Sequence, residues 1–327
     1  MRRGCRTPDS TTKSRTGEGA LTQASEHGVA RGARFRHVVF KGSGRRRPIN
    51  LAPRTSEPHG PALLYPRGLQ FTPDEECFVM WLFEQGGLDA RAYRPETLRR
   101  RLPACLRSLR ASSVADARQA LQEDPPAIAA AVSTMVIGIT SFFRDAGVFK
   151  DLADTVLPAL PRTLKHPRVW SAGCSDGEEI YSVAMLLAEM NRLEGSHLLG
   201  TDCRHQAVAR ARAGRYEARM LRDVSASWQE KYFERDGAFA CVRPDVRAGV
   251  QWRTGDVTRL CEPGTWDMIL CRNLTMYLRP DVAGGIWRAF EDALRPGGFL
   301  VLGKAERPIG AQRLHVVAPC IFRKDRI

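Results

Sequence analysis

Val169-Trp170-Ser171-Ala172-Gly173-Cys174-Ser175-Asp176-Gly177-Glu178-Glu179-Ile180-Tyr181-Ser182 passes from a short apolar run into a turn bracketed by glycines and then into a helix. Ile180, Val183, Ala184, Leu186, Leu187 and Met190 recur at helical spacing and predict an amphipathic helix over 178–194. Downstream the same alternation repeats. Leu198-Leu199-Gly200-Thr201-Asp202 reads as a strand, followed by a helix near 206–213. Val250-Gln251-Trp252-Arg253 and Met268-Ile269-Leu270-Cys271 are further strands, with a helix around 282–294 and a last run, Gly297-Gly298-Phe299-Leu300-Val301-Leu302-Gly303. Short strands alternating with helices of this length imply βαβ units and a parallel sheet. Ligands of such sheets bind outside the carboxyl ends of the strands.

Three features fall at those ends. Gly173 and Gly177 allow the backbone to approach a ligand closely. Asp202 ends the second strand, where an acid accepts from ribose hydroxyls. Asp256, in Thr254-Gly255-Asp256-Val257, follows the third strand and is placed to meet an adenine amino group. The turn departs from G-x-G-x-x-G, and a purely structural strand-to-helix turn accounts for the glycines equally well. Glu178 and Glu179 at the helix N-terminus repel a pyrophosphate. They suit a cationic ligand such as S-adenosylmethionine, which favours a methyltransferase over a nucleotide oxidoreductase.

Upstream, Thr72-Pro73-Asp74-Glu75 is a helix start that leads through Phe78, Trp81, Leu82 and Phe83 to Gly86-Gly87. A second helix carries Thr97-Leu98-Arg99-Arg100-Arg101-Leu102, with Pro103 expected to kink or restart it before residues 104–110. Third and fourth helices are expected over 114–122 and 128–136, with no strand between them. The first seventy residues hold 14 of the 50 Lys and Arg but only four of the 36 acids, so they carry +10 of the formal +14. Rich in Arg, Gly, Ser, Thr and Pro, they read as a disordered extension. Nine cysteines without a C-x-x-C pair suggest neither a disulfide framework nor a metal module, and point to a reducing cytoplasm. No apolar run is long enough to span a membrane.

Thr140-Ser141-Phe142-Phe143-Arg144-Asp145, the segment 170–182 and Cys271-Arg272-Asn273-Leu274-Thr275-Met276-Tyr277 occur in this order at fitting distances. From about residue 70 to its end the chain thereby resembles the CheR family of chemotaxis-receptor methyltransferases, which methylate receptor glutamates with S-adenosylmethionine. The resemblance implies an α/β, Rossmann-like methyltransferase sheet over 141–327, an N-terminal α-helical domain over 71–140 and a small inserted antiparallel β-subdomain at about 216–250. It places the cofactor contacts on Thr140, Arg144, Glu178, Asp202, the Asp256-Val257 pair and Cys271-Arg272, and sets Tyr277 close to the reacting methyl group. There are departures. Gly138 stands where the family commonly has Asn, Asp176 for Thr, Ile180 for Pro and Asp256 for Asn. Thr201-Asp202-Cys203-Arg204 keeps only the first acid of S-D-I-D, and Gly303-Lys304-Ala305-Glu306 replaces G-H-S-E.

The expected reaction is in-line methyl transfer to a glutamate carboxylate, with Arg144 and Tyr277 orienting the nucleophile. A carboxylate with a reference pKa of about 4.3 is ionised at neutral pH and needs no general base or metal. The bland alternatives are an arginine paired with Asp145 or solvent, a core tyrosine, and Asp202 as a simple turn residue. The arginines of residues 91–110 are expected to face an acidic protein substrate such as receptor helices, with a solvated helix face as the alternative. A monomer is expected. A nucleic-acid methyltransferase is the competing enzyme, but Asp124-Pro125-Pro126-Ala127 lacks the aromatic residue of the base-flipping motif it resembles. A non-catalytic cofactor- or receptor-binding regulator is the other alternative.

Overall fold

The structure, a computed structural model, describes residues 71–160, 166–259, 261–262 and 264–326. The basic extension expected over 1–70 lies outside the described residues. Four helices come first: α1 (Pro73–Gln85), α2 (Pro95–Ser108), α3 (Val114–Glu123) and α4 (Ala127–Met135). Thr72 caps α1 through a reciprocal capping box with Glu75, as its sequence dictates. Against one of the two expectations, helix α2 runs through Pro103 and does not restart there. Leu98, Leu102 and Cys105 lie on one face, buried, and hold the helix on both sides of it.

After α5 (Ala146–Asp151), a π-helical turn over Leu152–Val156 and the single turn α6 (Leu157–Ala159), the α/β alternation begins. It comprises β1 (Arg168–Ala172), α7 (Glu178–Glu189), β2 (His197–Asp202), α8 (His205–Ala213), β3 (Arg215–Glu217), α9 (Ala226–Tyr232), β4 (Phe233–Asp236) and β5 (Phe239–Val242). Then follow α10 (Pro244–Ala248), β6 (Val250–Thr254), β7 (Trp266–Cys271), α11 (Pro280–Ala293), β8 (Leu294–Leu302), β9 (Leu314–Ala318) and β10 (Ile321–Lys324). Helix α7 stops earlier than its apolar pattern suggested, because Asn191 turns into the left-handed region (φ 54°).

Seven strands form one sheet in the order β6-β2-β1-β7-β8-β10-β9; β6 to β8 run parallel, and β10 and β9 are antiparallel additions. A separate antiparallel sheet has the order β3-β5-β4. The fold is therefore mixed α/β with a mostly parallel seven-stranded sheet. The order in which strands are added reverses between β1 and β7, which opens a crevice at their carboxyl ends. The helices α1–α4 are continuous with one face of the sheet: Phe78, Leu82, Leu98 and Met135 share a buried cluster with Trp170, Trp266, Ile269 and Leu300. Tyr93 and Leu278 also form a backbone bridge. Arg94 N donates to Tyr277 O at 2.9 Å, Arg279 N to Ala92 O at 2.9 Å and Arg94 Nε to Leu278 O at 2.8 Å.

Candidate functional site

The crevice holds a pocket open at its mouth, bounded by the ends of β1, β2, β6 and β7 and by the segment between α4 and α5. Gly173 (φ 76°) turns the chain out of β1, and a Cβ there would lie 2.4 Å from the Leu274 side chain. Ser175 follows in the left-handed region at φ 52°, a costly conformation for a residue with a side chain, and it aims its amide at Asp202. Phe143, Asp145 and Asn273 on neighbouring segments are also left-handed. Strained backbone is concentrated at this pocket.

At the β2 end, the Asp202 carboxylate is buried and fully engaged. Its Oδ2 accepts from Ser175 N at 2.9 Å, and its Oδ1 from Arg204 N at 2.9 Å and Arg204 Nε at 3.0 Å. Asp256, beyond β6, accepts from Thr258 N at 2.9 Å through Oδ1, while its buried Oδ2 has no hydrogen-bond partner. Tyr93, buried between these acids, has its phenol pushed well up by burial, then by Cys203, Asp256 and Asp202.

At the α7 end, two adjacent acids behave differently. Glu179 lies on the pocket wall, accepting from Ser171 Oγ at 2.8 Å and from Arg272 at 3.1 Å. Glu178 is fully buried behind the wall. Burial raises its pKa to about 7 and nearby Asp176 adds to the rise, against hydrogen bonding from its own backbone amide and from Thr140, which lowers it. Arg272 is enclosed: it pairs with Glu179 and with Asp145 at 2.9 Å, donates to Arg144 O at 2.7 Å and stacks over Phe149. Asp145 also pairs with Lys304 at 2.7 Å. Burial works to raise the Asp145 carboxyl, but Lys304 and Arg272 outweigh it and hold it below the usual range. The loop carrying Arg144 is thus fixed from beneath. The Arg144 guanidinium itself makes one bond, from Nη1 to Ile139 O at 2.6 Å, and its other donors are free to face a ligand.

Tyr277 ends a 3-10 turn after β7 (Thr275–Tyr277). Glu306 holds this turn: its buried carboxylate accepts from the amides of Asn273, Leu274, Thr275 and Gly303 and from the Thr275 hydroxyl, all within 2.9 Å.

Of the residues singled out in the sequence, Thr140, Arg144, Asp202, Asp256, Val257, Arg272 and Tyr277 line one pocket. Glu178 and Cys271 do not reach its wall; both are fully buried behind it. Arg272 lines the pocket and spends its Nη1 and Nη2 donors on the protein, in support of the Arg144 loop, while its buried Nε has no hydrogen-bond partner. Tyr93, Arg204 and Glu306 carried no assigned role at the level of sequence. Tyr93 lay in a helical stretch with no ligand pattern. Glu306 and Arg204 were visible only as parts of altered motifs. Asp124 and its two prolines lie between α3 and α4, off the pocket wall. Among the described residues no helix is long and apolar enough to cross a membrane.

Residues 139–318, more than half of the chain, match the family described as "CheR methyltransferase, SAM binding domain". A "Chemotaxis protein methyltransferase" of Listeria monocytogenes is 29% identical over 223 residues, covering 68% of this chain and 85% of that protein. "Chemotaxis protein methyltransferase 1" of Pseudomonas aeruginosa is 32% identical over 186 residues, covering 54% of this chain and 68% of that protein. Among solved structures, the glycopeptide N-methyltransferase MtfA complexed with S-adenosyl-L-methionine superposes with a TM-score of 0.32 at 14% identity, covering 51% of this chain and 56% of that one.

Proposed function

The chain belongs to the CheR methyltransferase family, and from that premise we propose that it transfers a methyl group from S-adenosylmethionine to the side-chain carboxylate of a glutamate on a chemoreceptor or related signalling protein. The chain's own residues fit that cofactor. The methionine ammonium is a cation, and the acids at the α7 end, Glu179 on the pocket wall and Glu178 buried behind it, favour it by charge. The Oδ2 of Asp256, which makes no hydrogen bond and has only Arg259 at 4.0 Å, suits an adenine amino group, with Val257 beside it on the wall.

The bound cofactor supplies an electrophilic methyl group on a sulfonium. What the protein adds is position and charge. Arg144, with all but one of its donors uncommitted, binds a carboxylate bidentately and directs it into the pocket. Tyr277 faces the same space from the opposite segment. No proton has to be removed from an ionised glutamate, so the work is orientation and exclusion of water. The observation that carries this reading is the presence of Arg144 and Tyr277 on the wall that also holds Asp202 and Asp256.

We assign the acidic substrate surface to the exposed arginines of and beside α2: Arg91, Arg100, Arg107 and Arg110. Arg94 and Arg101 are excluded, since each donates to a backbone carbonyl. We retain 71–140 as the helical domain and 141–327 as the catalytic one, with the small sheet inserted at about 216–250. Every residue assigned to the site comes from one chain, so a monomer suffices. The eight described cysteines are free thiols, in keeping with a cytoplasmic protein. Incubating a cell lysate with the purified protein and methyl-labelled S-adenosylmethionine tests the proposal. Base-labile methyl esters on protein are expected, and label found only in nucleic acid overturns it.

A further inference from the structure

Asp202 ends β2 where a ribose diol is to be held, yet its carboxylate has no acceptor site to spare. A carboxylate offers about four such sites. Two go to backbone amides, Ser175 N on Oδ2 and Arg204 N on Oδ1, each at 2.9 Å. The other two go to the Arg204 guanidinium, through Nε on Oδ1 at 3.0 Å and Nη2 on Oδ2 at 3.3 Å, and the Cys203 thiol adds a weak contact to Oδ1 at 3.9 Å. The amides are present whatever side chain stands at 204. The guanidinium therefore occupies the two sites that a vicinal diol needs.

The surroundings are shaped to hold that guanidinium. Both side chains are more than nine-tenths buried. Arg204 Nη2 also donates to Ser175 Oγ at 2.9 Å, which donates in turn to Gly138 O at 3.0 Å. A Cβ at Gly138 would lie 1.9 Å from Arg204 Nη1, so only a glycine leaves room for the guanidinium where it lies. Glycine at 138 and arginine at 204 are a matched pair. Asp176, the other carboxylate acting on Arg204, is already paired with Arg210 at 2.8 Å.

We infer that Arg204 is a positioning residue that sets cofactor affinity through Asp202: it closes on the ribose-binding acid, and the diol is captured only when the guanidinium swings away. The inference rests on S-adenosylmethionine being the ligand of this pocket. The apparent Kd is then the intrinsic value divided by the fraction of molecules with Arg204 open. Replacing the side chain removes that factor and leaves the carboxylate anchored by its two amides.

The test is calorimetric titration of the full chain with S-adenosylhomocysteine and with its 2′,3′-dideoxy counterpart. Arg204→Ala is expected to bind S-adenosylhomocysteine about tenfold more tightly than the unaltered protein, about 1.4 kcal/mol. Binding of the dideoxy ligand should be unchanged. Arg204→Lys, with one donor group in place of a fork, should fall between the two. Gly138→Asn, which denies the guanidinium its place, should tighten binding as Arg204→Ala does, and the double variant should gain nothing more. Weaker or unchanged binding of the diol ligand by Arg204→Ala overturns the inference, as does an equal gain for the dideoxy ligand. If neither the unaltered protein nor any variant binds S-adenosylhomocysteine, the cofactor assignment falls and the inference with it.

Discussion

The carboxylate of Glu306 takes both the amide and the hydroxyl of Thr275, each at 2.8 Å, and so fixes the turn that ends at Tyr277. Five donors converge on this one side chain. Glu306→Gln turns an amide group toward some of them, leaving buried donors unpaired. A loss of roughly 2–3 kcal/mol in urea unfolding is expected, together with a lower turnover as Tyr277 loses its place. Unchanged stability and turnover would show that the turn holds itself.

The buried Glu178 makes cofactor binding pH-dependent. Its folded pKa of about 7 lies above the usual 4.5, so near pH 6 it is mostly protonated, and a cationic ammonium at the α7 end of the pocket favours its ionised form. Affinity should rise as pH rises toward 7 and level off above it. Calorimetry in buffers of different ionisation enthalpy should register net proton release on binding at pH 6, and Glu178→Gln should remove both effects. The stability of the unliganded protein should show the opposite slope. A folded pKa raised above the unfolded one gives a contribution fully present below pH 4.5 and lost as pH rises through 7, amounting to roughly 3 kcal/mol.

Arg144→Ala should slow methyl transfer by about 30- to 100-fold, the loss expected for a charge-assisted bidentate contact. The ion pair beneath the loop, Arg272 with Asp145, is untouched by this change, so the fold should persist. Methylation at the unaltered rate removes Arg144 from the reaction.

Arg272→Met strands Glu179 and Asp145 without their common partner. Destabilisation of about 3–5 kcal/mol is expected, read as a lower urea midpoint. If instead stability holds and only cofactor affinity falls, Arg272 is a ligand contact in its own right.

Reversing Arg100, Arg107 and Arg110 to Glu should slow association with an acidic substrate protein and abolish its salt dependence. The Kd for S-adenosylhomocysteine should stay the same, because these side chains are exposed and lie off the pocket wall.

The parallel strands were readable because each is a short apolar run closed by a glycine or an acid, and α1 because Thr72, Pro73 and Glu75 spell out its cap. Strands β9 and β10 went unread: their residues alternate poorly, with Val316 and Val317 both exposed on an edge. The pocket residues that motifs mark, Thr140, Arg144, Asp202 and Tyr277, were found from sequence, and Tyr93 was not. Tyr93 owes its place to a bridge with Leu278, 185 positions away, which no local pattern announces. Depth was also hidden, since periodicity cannot tell that Glu179 meets the cavity while Glu178 sits behind it.

The bridge between Tyr93 and Leu278 bears on how this protein can be rebuilt. Arg94 and Arg279 each donate an amide across it, so one wall of the pocket and the turn bearing Tyr277 are stitched by reciprocal main-chain bonds. Such a seam cannot be cut at a linker. A chimaera that borrows the helices of a relative must bring the segment 274–279 with them, or it will exchange substrate preference for a slack catalytic turn. Inheritance of the helices and the sheet as one exchangeable block is what this seam enforces.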